Sequence, residues 1–124
     1  MKPDIESRKD IIQLIDMFYS KVDKDAILSP YFNEAAKVDW KTHLPRMYDF
    51  WDTVLFAKDA YHGNPMAKHK LVDAMMKLTP EAFERWLALF YGTVDELFSG
   101  KTAEKAKFSA NTIATTLQSR IIVS

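Results

Sequence analysis

The chain has 124 residues, 48% of them hydrophobic, which predicts a single domain over residues 1–124 and excludes a disordered chain. Its 17 basic and 17 acidic residues balance without any basic block, which argues against nucleic acid or an anionic membrane as a partner. The absence of cysteine excludes disulfides, cysteine-ligated zinc and a cysteine nucleophile, and it suits a reducing, cytoplasmic location.

The N-terminal residues lack the apolar core of a signal peptide, and no run approaches the ~18 apolar residues that span a bilayer. Aromatic residues make up 13% of the chain, whereas glycine occurs three times. Because glycine is scarce and no alternating β-branched runs occur, we expect an all-α protein.

The first predicted helix starts near Ser7, which forms a capping-box pattern with Asp10. An apolar stripe follows at helical spacing, at residues 12, 15, 19 and 22. This stripe places Tyr19 on the buried face, where its hydroxyl needs a partner. Two interpretations stay open: a core tyrosine bonded to a backbone carbonyl, or a functional donor.

Residues 24–33 break the helical pattern. Ser29 and Pro30 end one element and begin a short turn that contains Tyr31 and Phe32. A short helical turn with a buried Phe32 is expected here, and no strand is predicted.

Asp39 is the next candidate N-cap. The helix after it carries an inward stripe at residues 40, 43, 47, 50, 51 and 54, which includes His43. Pro45 either opens the regular part of this helix or kinks it, because a proline ring clashes with the carbonyl four residues before it.

A third helix is predicted to start at Asn64 as N-cap and Pro65 as its first residue. Met66, His69 and Val72 then share one face. Taken alone, His69 is either a buried histidine satisfied by one backbone partner or an axial ligand of haem iron.

Thr79 and Pro80 form a strong start for the next helix, whose inward stripe includes Trp86. Gly100 is predicted to follow the end of this helix, and Thr102 to restart the chain. The last helix shows a stripe at residues 106, 110, 113, 117 and 121.

Four polar-tipped side chains thus lie on the buried faces of four predicted helices: Tyr19, His43, His69 and Trp86. Each of these groups, if buried without a hydrogen-bond partner, would cost ~1–3 kcal/mol. A polar partner shared by all four is therefore expected between them. A haem with a diatomic ligand is such a partner, since it is flat and apolar, needs one imidazole below and presents a partly negative ligand above.

The chain resembles the group III, or P-type, truncated haemoglobins. The resemblance rests on six runs that cover nearly the whole chain in order: FY (18–19), SPYFN (29–33), DWKTHLPRM (39–47), DFW (49–51), YHGNPMAKH (61–69) and FERWLALF (83–90). The resemblance implies a two-over-two helical sandwich that holds haem b. One departure is the connection at residues 72–77, which is longer than is usual in the family and has no proline.

The resemblance also implies roles for individual residues. His69 would be the proximal iron ligand, Tyr19 and Trp86 would donate hydrogen bonds to the bound ligand, and His43 would lie at the distal gate. His62 is the runner-up for the iron, disfavoured because it precedes the Asn64 cap. The residues predicted to contact the haem are Phe32, Met47, Phe50, Trp51, Arg46 and Met66. Arg46 either reaches a haem propionate or is a solvated surface residue.

The function that the resemblance implies is the binding of O2, NO or another diatomic ligand at a pentacoordinate haem iron. Strong distal donors would slow oxygen release, which suits oxygen, nitric-oxide or peroxide chemistry under nitrosative stress better than transport. Both nitric-oxide dioxygenase and peroxidase-like activity stay open, and either needs an external reductase because the chain has no dinucleotide motif. The alternatives are a haem-based gas sensor or carrier acting through a partner protein, and a haem-free helical adaptor.

Overall fold

The computed structural model describes residues 2–57 and 78–122. Within these ranges the chain forms four α-helices and one π-helical turn, and no strand. The elements are α1 (Arg8–Lys24), the π-helical turn (Tyr31–Ala35), α2 (Trp40–Phe56), α3 (Pro80–Leu97) and α4 (Lys101–Ile122). No helix in the described ranges combines the length and the apolar character that crossing a membrane requires.

The four helices pack as two pairs. α1 packs against α2, and α3 packs against α4, while contacts of α1 with α3 and of α2 with α4 join the two pairs. This confirms the predicted all-α, two-over-two sandwich. The predicted helix that starts after Asn64 lies outside the described residues.

α1 supplies the centre of the core. Its buried residues are Ile11, Leu14, Ile15, Phe18, Tyr19 and Val22, so the inward face begins at Ile11 and not at Ile12 as predicted. Ser7 precedes the helix as expected, but its side chain makes no capping hydrogen bond. The Asp10 carboxylate instead accepts from the backbone N–H of Glu6 at 2.8 Å.

The π-helical turn begins directly after Pro30, where a short helical turn was predicted. Its wider coil is seen in the backbone hydrogen bond from the Ala36 N–H to the Tyr31 carbonyl, at 2.9 Å. Lys37 then takes a positive φ of 51°, which ends the turn and directs the chain into α2. Phe32 is half-buried in this turn, where a buried side chain was expected.

α2 starts where the sequence predicted. The side chain of Asp39 accepts from the backbone N–H of Lys41 at 3.2 Å and from the hydroxyl of Thr42 at 3.1 Å. The helix begins at Trp40 and runs through Pro45, so the proline lies inside it and does not open it. The two residues of the predicted stripe nearest the cap, Trp40 and His43, are therefore held on the first turn.

α3 and α4 are joined by a tight connection. Thr79 caps α3 as predicted, accepting from the Ala82 N–H at 3.1 Å. Gly100, at φ 140°, does not follow α3 directly but precedes α4, and its carbonyl accepts from Glu104. A side chain at Gly100 would put its Cβ 2.5 Å from Cγ of Asp4, so glycine is required there on steric grounds as well.

The cap of α4 comes from the other end of the chain. The Asp4 carboxylate accepts from the backbone N–H groups of Thr102 at 3.0 Å and Ala103 at 2.8 Å. Partial burial alone would raise the pKa of Asp4, but these bonds and one from the Ile5 N–H outweigh it and lower that pKa.

Substitution Asp4→Ala is expected to lower the free energy of unfolding by about 1–2 kcal/mol at neutral pH, because two N–H groups of α4 lose their acceptor. A lowered folded-state pKa stabilises the protein above the unfolded value and loses that effect as the pH falls through the folded value. Urea denaturation should therefore show the difference from the parent shrinking below pH 3.8. A difference that is constant with pH would contradict a charged cap.

Candidate functional site

Four rings from three elements meet between α1 and α2. The Tyr19 ring lies with its centroid 5.1 Å from His43, 5.7 Å from Trp40 and 5.8 Å from Phe32. The other three rings also lie within 6.0 Å of one another, and Phe32 stacks on Trp40 with an interplanar angle of 23°. We call Tyr19, Phe32, Trp40 and His43 the distal cluster.

Tyr19 is the buried donor at the centre of the distal cluster. Its side chain is 6% exposed, and burial raises the pKa of its phenol, an effect that a hydrogen bond from the Trp86 side chain opposes only in part. Tyr19 therefore stays protonated at all physiological pH values. The Tyr19 hydroxyl can both donate and accept, whereas the indole N–H of Trp86 can only donate.

Trp86 reaches Tyr19 from α3. Phe18 fills the space between them, with ring centroids 4.8 Å from Tyr19 and 5.7 Å from Trp86 in edge-to-face geometry. Trp86 is half-buried and also stacks on Phe90 at 5.7 Å, which orients the indole. The two side chains predicted as distal donors thus both contact one ring, that of Phe18, and their donation to a ligand stays a prediction.

His43 projects from the first turn of α2 into the distal cluster. Its ring is half-buried overall, but its Nε2 atom is shielded from solvent. The Tyr19 ring is nearly perpendicular to it, at 86°. The structure therefore places the imidazole beside the phenol, and its role at a distal gate stays a prediction.

Trp40 is a member of this site that the sequence analysis assigned only to the apolar stripe. Its spacing of three residues from His43 on one helix was the signal that could have found it. The Trp40 Nε1–H donates to the Asn33 side chain at 3.3 Å, and the Asn33 amide donates to Asp23 at 2.9 Å. These bonds hold the π-helical turn and α2 to the end of α1.

The residues predicted to contact the haem fall in different places. Trp51 is buried at 3% exposure and stacks on Phe90 at 4.9 Å, which links it to Trp86 through one ring. Met47 is half-buried against the core, whereas Arg46 is exposed. Their contact with haem stays a prediction.

Phe50, another predicted haem contact, lines an apolar cavity of about 300 Å³ between α2 and α4. The lining residues are Phe50, Val54, Phe108, Ser109, Thr112 and Ile113. This cavity is separate from the four rings of the distal cluster.

The predicted iron ligand lies outside the described residues. His69, Met66, the Asn64 cap and the runner-up His62 all fall within residues 58–77. Their roles therefore stay predictions.

The sequence and the fold were compared with known proteins. The family model described as bacterial-like globin matches residues 4–119. The chain is 31% identical over 127 residues to the group 3 truncated hemoglobin ctb of Campylobacter jejuni, covering 98% of this chain and 95% of that protein. The fold is similar to the crystal structure of the group III truncated hemoglobin from Campylobacter jejuni, with a TM-score of 0.86 and 30% identity over 98% of this chain and 95% of that one.

The match extends over nearly all of the chain in both sequence and fold, and it includes every element of the distal cluster. Globins bind haem, and through it diatomic ligands such as O2. The chain therefore belongs to the bacterial-like globin family and, within that family, to the group III truncated haemoglobins.

Proposed function

We propose that this chain binds haem b through His69 and holds O2, NO or a similar ligand beneath Tyr19, Trp86 and His43. The observation that carries the proposal is the buried Tyr19 phenol, which stays protonated, lies beside His43 and is linked to Trp86 through Phe18. The proposed role is chemistry on the bound ligand and not oxygen transport.

The residues of the site fit a haem with a small polar ligand. Aromatic rings form apolar walls that a porphyrin can pack against, as in most cofactor sites. Polar tips from α1, α2 and α3 converge between those walls, on Tyr19, His43 and Trp86. A core that needed only packing would gain nothing from three such groups, because each has to be satisfied when buried.

When bound, haem supplies a coordination position for a diatomic ligand and places partial negative charge on that ligand's outer atom. Tyr19 donates toward this charge with a preorganised O–H that does not ionise. Trp86 would support it, since an indole N–H directed at the Tyr19 oxygen strengthens the Tyr19 donor and fixes its direction. His43 lies beside the phenol and limits access to it.

Hydrogen bonds to charged groups contribute ~1.5–3 kcal/mol each, so the distal donors would slow ligand release by roughly ten- to a hundredfold or more. Slow release is a disadvantage for a carrier but not for a site that keeps oxygen until nitric oxide or another reactant arrives. We therefore propose oxygen, nitric-oxide or peroxide chemistry, with electrons supplied by an external reductase.

Optical spectroscopy tests this function directly. The chain, purified and supplied with hemin, is expected to show a Soret band and, after reduction with dithionite, a five-coordinate ferrous spectrum that changes on addition of CO. Consumption of nitric oxide by the oxygenated protein with a reductase would then support turnover. A preparation that stays colourless with hemin would contradict the proposal and leave a haem-free helical adaptor as the alternative.

A further inference from the structure

We propose that the ion pair between Asp25 and Arg85 positions Trp86 against Tyr19, and so sets the strength of the distal donors. The position of the indole is a property of the fold alone, whereas its effect on ligand release rests on the proposed function. Both Asp25 and Arg85 lie outside the distal cluster, so they act as positioning residues.

Asp25 anchors the end of α1. One carboxylate oxygen accepts from the backbone N–H groups of Ile27 at 3.1 Å and Leu28 at 3.0 Å, and the other accepts from Nε of Arg85 at 2.7 Å. Its side chain is 6% exposed. Because both oxygens are engaged and the group is buried, the carboxylate has one fixed position relative to α1.

Charge strengthens the contact between Asp25 and Arg85. Burial would raise the pKa of Asp25, but the bond from Arg85 and the backbone bonds from Leu28 and Ile27 outweigh it and lower that pKa. The carboxylate is therefore ionised at neutral pH, and the contact with Arg85 is a charge-assisted hydrogen bond.

Arg85 connects the Asp25 carboxylate to α3. It directly precedes Trp86, and it uses Nε, the guanidinium nitrogen nearest the backbone, so the link to the helix is short. Tyr19 lies six residues before Asp25, about 9 Å along the axis of α1. A link between Asp25 and Arg85 thus limits sliding of α3 along α1, and with it the position of Trp86 relative to Phe18 and Tyr19.

A second ion pair joins the same two helices and provides a matched comparison. Lys21 on α1 and Glu96 on α3 approach to 3.3 Å, with side chains 31% and 52% exposed, whereas the Asp25–Arg85 pair has a shorter contact of 2.7 Å and a partner, Asp25, that is only 6% exposed beside the 45% of Arg85. Exposed pairs of this kind contribute little, because solvent screens them and both side chains are mobile. We therefore expect Glu96→Gln to leave the indole of Trp86 in place.

The experiment observes the indole itself. The 124-residue chain labelled with ¹⁵N-tryptophan is purified, supplied with hemin, reduced with dithionite and exposed to CO, and the Trp86 indole N–H resonance is assigned from its absence in Trp86→Phe. Arg85→Gln removes the donor, and Asp25→Asn removes the charge while keeping an acceptor for Ile27 and Leu28. Both variants are expected to shift the Trp86 resonance and the C–O stretching frequency, whereas Glu96→Gln is expected to shift neither.

Oxygen dissociation is expected to accelerate by about threefold to tenfold in Arg85→Gln and Asp25→Asn. The proposal is overturned if either variant unfolds more easily while its Trp86 resonance and oxygen dissociation rate match the parent. It is also overturned if Glu96→Gln changes the resonance as much as Arg85→Gln does. Failure to bind hemin would instead contradict the proposed function, and the resonance would still report the position of Trp86 in the purified chain.

Discussion

Substitution of His69 by alanine is expected to abolish the five-coordinate ferrous haem spectrum. The imidazole is proposed as the one protein ligand of the iron, and no methyl group can replace its nitrogen lone pair. Added imidazole should enter the space left by the side chain and restore much of the spectrum. Absorbance titration with hemin, followed by reduction and addition of imidazole, measures both effects.

His62→Ala is the matched control for this substitution, because His62 lies seven residues earlier and is the other candidate ligand. It should keep the parent spectrum in ferric, ferrous and CO-bound forms. The reverse result, with His62→Ala losing the spectrum and His69→Ala keeping it, would move the iron ligand to position 62.

Tyr19→Phe is expected to raise the oxygen dissociation rate by roughly ten- to a hundredfold, since a hydrogen bond to a partly charged ligand is worth ~1.5–3 kcal/mol. Phenylalanine keeps the ring that packs against Phe18 and His43 and removes only the hydroxyl. Stopped-flow displacement of oxygen by CO gives the rate. An unchanged rate would refute the donor role.

Tyr48→Phe provides the control for loss of a tyrosine hydroxyl. Tyr48 lies on α2 outside the distal cluster, and its hydroxyl donates to Asp16 on α1. Its removal should leave oxygen dissociation at the parent rate. A comparable acceleration in Tyr48→Phe would mean that the effect at Tyr19 arises from general loosening of α1 against α2.

The link between Tyr19 and Trp86 leads to a further expectation for the same measurement. Because Trp86 is proposed to donate to the Tyr19 oxygen, the two side chains should act as one unit, and their effects should not add. Trp86→Phe combined with Tyr19→Phe should therefore release oxygen little faster than Tyr19→Phe alone. Simple addition of the two effects would show that Trp86 reaches the ligand independently of Tyr19.

Several features of the protein follow from its sequence because they depend on neighbours along the chain. Helix periodicity placed Tyr19, His43 and Trp86 on inward faces, and short-range capping chemistry predicted the starts of α2 at Asp39 and of α3 at Thr79. The all-α fold was predicted from scarce glycine and the lack of alternating β-branched runs, and the family from a resemblance carried by six sequence runs; both are confirmed. A repeat of 3.6 residues, or a capping residue three positions away, can be recognised in the sequence because it involves only residues that are close along the chain.

Other features were decided only by tertiary structure. Three features depend on how far one helix slides along another: the contact of Phe18 with Trp86, the place of Trp40 beside His43, and the bond between Asp25 and Arg85. The capping of α4 by Asp4 joins residues 98 and 99 positions apart. Periodicity fixes which way a side chain faces but not its height against a neighbouring helix, and that height is set by packing of the whole core.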